Sequence, residues 1–427
     1  GHEPILIMPL YRIVRETAPP NIEVARFTVP LGRRHADVVL WQGQIPGSGA
    51  PAYFIEQNDY YDRPGIYGNG YFGYPDNCER FTLLSRAAIE AVRALGFSAD
   101  LFHIHDWQTA LVAPYLKLLY RDDPLLRSAG SLLTIHNMAH QGIFWHWDME
   151  VLGLGWEHFN IREFEFWDKV NLLKGGIVYA DAVNTVSPTY SREIQTRSHG
   201  HGLEDVLHQR GDTVYGVVNG IDEAIWNPAA DPHIKRPYGP EDLSGKESCK
   251  RALQRQVGLR QRRSPLVGIV SRLAEQKGID LVVDALPGLF DRTDLQCVVL
   301  GDGEENLRDD LEMLEEQFPE RIKAFGGYDE TLAHRIIAGA DMILVPSRFE
   351  PCGLTQLYAL KYGSAPIVRK TGGLRDTVVD CSPETLEAGT ATGFCFKQPT
   401  PKALAASVKR AIALYRDRTA WEQLIRI

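Results

Sequence analysis

Short apolar runs alternate with amphipathic stretches along the whole chain, which is typical of parallel sheets connected by crossover helices. In the first half we predict helices over 77–94, 107–120 and 167–180, and the strands PILIMP, ADVVLW, AYFIEQ, DLFHIHD, SLLTIHN and DAVNTVS. In the second half we predict helices near 279–290, 304–318 and 353–362, and the strands PLVGIVSRL, LQCVVLGDG, DMILVPS, APIVRKTGG and GFCF. The pattern therefore predicts an α/β protein.

The alternation lapses between the two halves, in a segment over 217–245 that is rich in Pro, Gly and Asp. A chain of 427 residues is also too long for a single typical core. We therefore predict two doubly wound domains, over 1–222 and 223–427. Because ligands of such sheets bind outside the carboxyl ends of the strands, we expect the two domains to face each other across a cleft that holds the functional site.

Composition and charge exclude several classes of function. The net charge is −9 and the chain has no basic stripe, which argues against a nucleic-acid partner. No apolar run approaches the roughly 18 to 20 residues that a membrane span needs. The six cysteines are scattered without a CxxC pair, so neither a disulfide framework nor a structural zinc site is indicated. We expect a protein of a reducing compartment, with no membrane partner.

Polar groups and glycines follow the predicted strands of the second half. Arg272 and Lys277 come after one strand, Glu350 after another, and Gly372 and Gly373 open a helix after a third. A helix that begins with TGGL presents backbone N–H groups at the positive end of its dipole, which suits a phosphate. Two cations near such a phosphate would stabilise a pyrophosphate leaving group as its charge grows. Together these strand ends indicate a sugar-phosphate site.

Each of these features also has a purely structural interpretation. The run GDGEEN around Asp302 falls short of a glycine-rich nucleotide fingerprint and is equally consistent with a turn. TGGL alone is consistent with a tight corner, and an isolated Lys or Arg is usually a solvated surface charge. The segment SRFEPCG places Arg348 and Glu350 where a buried strand ends. A carboxylate is unexpected at such a position, and its presence requires an explanation. The chain contains no Asp-x-Asp pair, so we expect side-chain cations and no metal to neutralise a diphosphate.

Two further clusters follow strands of the first half. One consists of His105, Asp106 and Trp107, and the other of His136 and Asn137. Single histidines are usually structural, but two strand-end clusters that face one cleft favour a functional site. Zinc is an alternative ligand, although no cysteine lies nearby in the sequence and the tryptophan suits a sugar ring better. The first half therefore indicates a carbohydrate-binding wall.

A set of motifs then carries a resemblance to one family. Segments in order along the chain resemble the signature blocks of bacterial glycogen synthases and plant starch synthases: DYYDRPGIYG, HDWQTAL, TIHNMAHQG, NTVSPTYSREI, VNGIDEAIWNP, SRLAEQKGIDL, SRFEPCGLTQLYALKYG and TGGLRDTV. The resemblance implies a GT-B fold, in which two Rossmann-like domains enclose the active site. It also implies transfer of glucose from ADP-glucose to the non-reducing end of an α-1,4-glucan, glycogen or starch, with retention of configuration and without metal or cofactor. The compartment implied is the bacterial cytoplasm or the plastid stroma.

The resemblance also implies catalytic roles for particular residues. Arg272 and Lys277 would hold the diphosphate and stabilise the departing ADP. Glu350 would bind the donor glucose and support positive charge near the anomeric carbon, which gives its carboxylate a reason to stand at a strand end. His136 would contact the glucose from the opposite wall, and Asp106 would line the acceptor side. In a front-face mechanism the leaving phosphate takes the acceptor's proton, so no protein base is required.

Further positions are implied to bind rather than to react. The Gly372 and Gly373 amides would cradle the distal phosphate, Tyr328 would pack against adenine, and Trp107 would bind the acceptor. The nucleotide-sugar-binding set implied by the resemblance is Asn219, Tyr328, Thr371, Gly372 and Gly373.

Two departures from the family's pattern bear on activity. The family's Lys-Thr-Gly-Gly-Leu loop after the first strand is absent, and the KTGGL at 370–374 follows a late strand, so Lys370 does not take that lysine's role. The sequence also ends, at WEQLIRI, before the helix that closes the fold. We therefore expect a chain truncated at both ends that is poorly soluble and nearly inactive as it stands.

Two other functions stay open as alternatives. One is a synthase-like glucan-binding protein without catalysis. The other is a UDP-sugar-dependent GT-B glycosyltransferase, which is disfavoured because many of those enzymes carry a second glutamate where this chain has Tyr358.

Overall fold

The structure is a computed structural model that describes residues 2–69 and 72–426. It contains two compact units, Gly1–Thr185 with Ser191–Tyr215, and Val186–Tyr190 with Gly216–Ile427. Within the described ranges, no helix combines the length and apolar character needed to cross a lipid bilayer.

Ten strands and nine α-helices lie in the described part of the chain up to Gly216. The strands are β1 Leu6–Pro9, β2 Ile22–Leu31, β3 Arg34–Gln44, β4 Pro51–Glu56, β5 Leu101–His105, β6 Gly130–Ile135, β7 Ile143–Trp145, β8 Lys169–Asn171, β9 Ala182–Thr185 and β10 Val214–Gly216. The helices are α1 Arg12–Thr17, α2 Asn58–Tyr61, α3 Asn77–Ala94, α4 Asp106–Thr109, α5 Val112–Leu118, α6 Met149–Leu152, α7 Leu172–Tyr179, α8 Pro188–Glu193 and α9 Glu204–His208.

These strands form two four-stranded sheets, in the orders β1-β4-β3-β2 and β10-β9-β6-β5, and a two-stranded β7-β8 ribbon. Strand β1 pairs in parallel with β4, and β6 pairs in parallel with both β5 and β9. The parallel pairing that the alternation indicated does not extend to β2 and β3, which pair antiparallel with each other, as β3 does with β4. The short turn after Leu31 explains this, because a tight hairpin can join only antiparallel strands.

The remaining elements belong to the second unit. They are α10 Ser244–Gln256, β11 Leu266–Val270, α11 Ile279–Phe290, β12 Gln296–Leu300, α12 Glu305–Gln317, β13 Ile322–Phe325, α13 Glu330–Gly339, β14 Met342–Val345, α14 Thr355–Lys361, β15 Ala365–Arg369, α15 Gly372–Thr377, α16 Pro383–Glu387, β16 Phe394–Phe396, α17 Pro401–Arg416 and α18 Arg418–Ile425.

One six-stranded parallel sheet, ordered β13-β12-β11-β14-β15-β16, forms the centre of the second unit. Strands β12 and β14 are buried along their whole length, as expected for apolar runs covered by helices on both faces. The segment 217–243 before α10 contains neither helix nor strand, which agrees with the predicted lapse. The sheet thus places the ends of β11, β14 and β15 side by side.

Candidate active site

Glu350 lies beyond the end of β14 and forms an ion pair inside the second unit. Lys277 Nζ donates to Glu350 Oε2 over 2.6 Å, and Ser347 Oγ donates to the same oxygen over 2.9 Å. Glu350 is only 7% exposed, and the Lys277 side chain is 18% exposed. Both line a small cavity of about 70 Å³. A carboxylate held this way has a fixed position, which suits contact with a developing positive centre.

Gly372 and Gly373, at the start of α15, lie against the backbone of the Glu350 segment. A Cβ on Gly372 would stand 1.9 Å from the Glu350 carbonyl oxygen, and one on Gly373 would stand 2.3 Å from that of Cys352. Gly372 also has a φ of +43°, in the left-handed region that favours glycine. The Gly373 N–H donates to the carbonyls of Glu350 and Pro351, over 3.1 and 3.0 Å. These glycines therefore fix the Glu350 loop, and phosphate binding by their amides stays a prediction.

Arg272 and Arg348 have different surroundings at the same edge of the sheet. Arg272 Nη2 donates to Gln276 Oε1 over 3.2 Å, a neutral and exposed contact. Arg348 forms two hydrogen bonds of 2.6 Å to the two carboxylate oxygens of Asp280, in the first turn of α11. This bidentate ion pair anchors Arg348, and with it the loop that carries Glu350, to α11. Lys277 is likewise bound to Glu350, so Arg272 is the more accessible of the predicted phosphate ligands.

The carboxylate of Asp302, in the GDGEEN run, is bound by neighbouring residues of its own turn and the helix that follows it. Its Oδ1 accepts from the Arg308 guanidinium over 2.6 Å and from the Gly303 N–H over 2.9 Å. These contacts favour the turn interpretation of this run.

The predicted nucleotide-binding positions Tyr328 and Asn219 belong to the same unit. Tyr328 follows β13 and is 89% exposed, as a ring that stacks on a base would be. Asn219 is partly buried and lies near Cys352, next to the Glu350 loop. Thr371 is the residue before α15 and is buried. Their binding roles stay predictions.

The structure gives a reason for the tyrosine at position 358 that the sequence did not reveal. The Trp226 ring is stacked between Tyr358 and His334, with centroid distances of 3.8 Å on both sides. His334 in turn bonds Asp231 through Nδ1 over 2.7 Å, and Tyr362 donates to the same carboxylate oxygen over 2.6 Å. Burial opposes the charge of Asp231, but these hydrogen bonds outweigh it and lower its pKa. A glutamate at 358 would lose the stack on Trp226.

In the first unit, Asp106 joins the ends of β5 and β6. Its Oδ1 accepts from the backbone N–H groups of His136 and Asn137, over 2.7 and 3.3 Å. Asp106 has a φ of +54°, so the chain turns sharply where β5 ends. Burial raises the pKa of Asp106 despite these two hydrogen bonds. The structure therefore gives Asp106 a positioning role for His136, while its predicted role toward the acceptor stays a prediction.

Trp107 is partly buried and packs within the first unit. Its ring centroid lies 4.7 Å from that of Phe81, at an edge-on angle of 74°, and 5.6 Å from that of Phe144. Packing of this kind holds the indole rigidly. Part of the ring remains accessible, and acceptor binding by Trp107 stays a prediction.

His105 contacts His136 directly, a contact that sequence reasoning missed although both residues were singled out. His105 Nδ1 lies 2.9 Å from His136 Nε2. Loss of hydration, together with the nearby charges of His103 and His136, lowers the pKa of His105 to about 4. His105 is thus neutral at neutral pH, and one ring nitrogen of the pair donates while the other accepts. This bond fixes the ring orientation of His136.

We expect His105→Ala to lower kcat/KM about tenfold, because His136 loses the partner that orients it. His105→Asn places an amide near Nδ1 and should restore most of the activity. The test is steady-state kinetics of both variants at pH 7.5 with ADP-glucose, the donor that the resemblance implies. Undiminished activity of His105→Ala would contradict the positioning role.

Sequence profiles of two families match this chain. The family described as starch synthase catalytic domain matches residues 1–209, and the family described as glycosyl transferases group 1 matches residues 250–426. Curated relatives match over the full chain. The glycogen synthase of Syntrophotalea carbinolica is 44% identical over 428 residues, covering 100% of this chain and 87% of the relative. The glycogen synthase of Anaeromyxobacter dehalogenans is 44% identical over 427 residues, covering 100% and 88%.

Solved structures agree with these sequence matches. The catalytic domain of starch synthase IV from Arabidopsis thaliana, bound to ADP and acarbose, matches with a TM-score of 0.90 and 34% identity. That match covers 100% of this chain and 88% of the other. Sucrose-phosphate synthase from Thermosynechococcus elongatus matches with a TM-score of 0.56 and 18% identity, over 90% of this chain and 79% of its own, which shows the fold alone.

Proposed function

Since the chain belongs to the family of bacterial glycogen synthases and plant starch synthases, we propose that it lengthens an α-1,4-glucan with glucose from ADP-glucose. It is a glycosyltransferase with the GT-B fold. The acceptor is the non-reducing end of glycogen or starch, and the anomeric configuration is retained. We place the reaction in the bacterial cytoplasm or the plastid stroma.

The partly buried Lys277–Glu350 pair is the observation that best supports this chemistry. When the bond between glucose and ADP breaks, the sugar becomes positive and the diphosphate gains negative charge. The Glu350 carboxylate would stabilise the positive charge on the sugar. The side chains of Lys277 and Arg272 would stabilise the negative charge on the diphosphate. A carboxylate and an ammonium group 2.6 Å apart thus match both charges that form in the transition state.

Retention follows from a reaction on a single face of the glucose. The acceptor hydroxyl attacks from the side that ADP leaves, and the departing phosphate oxygen takes the hydroxyl proton. The new bond joins the anomeric carbon to the acceptor oxygen, and the bond to the phosphate oxygen breaks. His136, held by His105 and Asp106, would orient the donor glucose while this occurs.

We predict that the protein incorporates glucose into glycogen from ADP-glucose at least about tenfold faster than from UDP-glucose. The measurement supplies each donor radiolabelled in the glucose, with glycogen as acceptor. The label should be released as maltose by β-amylase, which cleaves α-1,4 bonds from non-reducing ends. A tenfold preference corresponds to about 1.4 kcal/mol.

Two outcomes would contradict this proposal, and each would favour a different alternative. Incorporation from UDP-glucose alone would favour the UDP-sugar alternative. Binding of glycogen without incorporation from either donor would favour a non-catalytic glucan-binding protein.

A further inference from the structure

A cavity of about 420 Å³ lies in the second unit, apart from the residues of the candidate active site. Its walls come from the irregular segment before α10, from α10 itself and from α13. This volume is in the range that small-molecule sites occupy. The residues of its walls that bear on ligand chemistry are His233, Ile234, Lys235, Leu253, Gln256 and Arg335.

The walls of this cavity carry positive charge, although the whole chain has a net charge of −9. Lys235 and Arg335 line it, and among the described residues no aspartate or glutamate does. Asp231, which comes just before this wall in the sequence, is fully buried and binds His334 and Tyr362. Cations without a carboxylate beside them attract an anionic ligand.

Hydrogen bonds within the wall hold the cationic groups in place. The Arg335 Nε–H donates to the His233 carbonyl over 2.9 Å, and Arg335 Nη1 donates to Gln256 Oε1 over 3.1 Å. The Thr331 hydroxyl lies 3.2 Å from His233 Nδ1. Lys235 Nζ, Arg335 Nη2 and His233 Nε2 have no hydrogen-bond partner in the part of the chain that the structure describes. Three nitrogens that can donate are therefore available around one cavity.

The number of these donors favours a phosphate group over a carboxylate. A phosphate monoester presents three terminal oxygens and more negative charge than a carboxylate, and a guanidinium group binds it with good geometry. The apolar side chains of Ile234 and Leu253 form another part of the wall, and an inorganic phosphate would leave them without a contact. No Phe, Tyr or Trp is among the described lining residues, so a nucleotide base would find no aromatic ring to stack on.

We propose that this cavity binds a small organic phosphate, at a site separate from the candidate active site. The proposal goes beyond glucosyl transfer, for which the second unit has other residues at the ends of β11, β14 and β15. The phosphate would accept hydrogen bonds from Lys235, Arg335 and His233, and its organic part would contact Ile234 and Leu253. Such a ligand would join the segment before α10 to both helices, and would thereby stabilise the folded second unit.

Isothermal titration calorimetry with glycerol 3-phosphate tests the proposal. Saturating ADP is present throughout, so that the predicted diphosphate site is already occupied, and the ionic strength is held constant. We expect saturable binding to the wild-type protein and a higher melting temperature in the presence of the ligand. Lys235→Glu reverses the charge of an exposed side chain, and Arg335→Gln removes a cation. Each should weaken binding at least about tenfold.

The control variant Lys402→Glu makes the same charge reversal at an exposed position of α17, outside the cavity. It should bind glycerol 3-phosphate as the wild type does. Absence of saturable binding to the wild type, or equal affinity in Lys235→Glu, Arg335→Gln and Lys402→Glu, would overturn the proposal. Equal affinity for inorganic phosphate would overturn the assignment of an organic ligand. Binding that occurs only when ADP is omitted would place the phosphate in the diphosphate site and would also overturn the proposal.

Discussion

Replacing Glu350 with glutamine will lower the turnover number with ADP-glucose by about a thousandfold, while the protein remains folded at the assay temperature. Glutamine keeps the volume of the side chain and removes the charge that we propose stabilises the developing positive sugar. The substitution also leaves Lys277 without its ionic partner, so we expect a lower melting temperature as well. The measurement is kcat at saturating ADP-glucose and glycogen, together with thermal unfolding of the same preparation.

A matched variant separates the loss of chemistry from the loss of stability. Lys250 and Asp341 form another buried ion pair of the second unit, with 2.5 Å between Nζ and Oδ2, outside the candidate active site. Asp341→Asn should lower the melting temperature at least as much as Glu350→Gln but leave kcat within about threefold of wild type. If the two variants lost activity equally, Glu350 would have no special role in the transition state.

Elements with a clear period were predictable from the sequence. The predicted helices over 77–94 and 279–290 are observed as Asn77–Ala94 and Ile279–Phe290. The helix predicted over 167–180 begins only at Leu172, because Trp167 and Asp168 turn left-handed and Lys169–Asn171 pairs as a strand. Apolar periodicity detects the buried face of a helix but carries no information on such local backbone turns.

The candidate site was predictable in outline but not in its partners. Polar groups at strand ends could be located because parallel strands end at one edge of a sheet. The partner of Arg348 could not, since Asp280 lies 68 residues away in the sequence and no local pattern links them. The same holds for Trp226, which stacks on Tyr358, and for His105, whose contact with His136 depends on the pairing of β5 with β6. Long-range side-chain pairs appear only when the fold is known.

The second large effect concerns the backbone that supports Glu350. We expect Gly372→Ala to abolish most activity, lowering kcat/KM at least about a hundredfold. A methyl group there would stand 1.9 Å from the Glu350 carbonyl oxygen, so the Glu350 loop or the start of α15 must move. Either movement displaces the carboxylate from Lys277 and from the position that we propose for the reacting sugar. Steady-state kinetics with ADP-glucose and glycogen measure the loss.

Gly389 supplies the control that isolates this contact from backbone strain. Its φ of +64° is also left-handed, and nothing lies within 4 Å of the position that a Cβ would occupy. Gly389→Ala therefore carries the conformational cost of about 1 kcal/mol without the collision, and should lower stability slightly while leaving activity intact. Equal kinetic losses in the two alanine variants would mean that strain alone accounts for the effect. A loss confined to Gly372→Ala would show that catalysis depends on the close approach of α15 to the loop that carries Glu350.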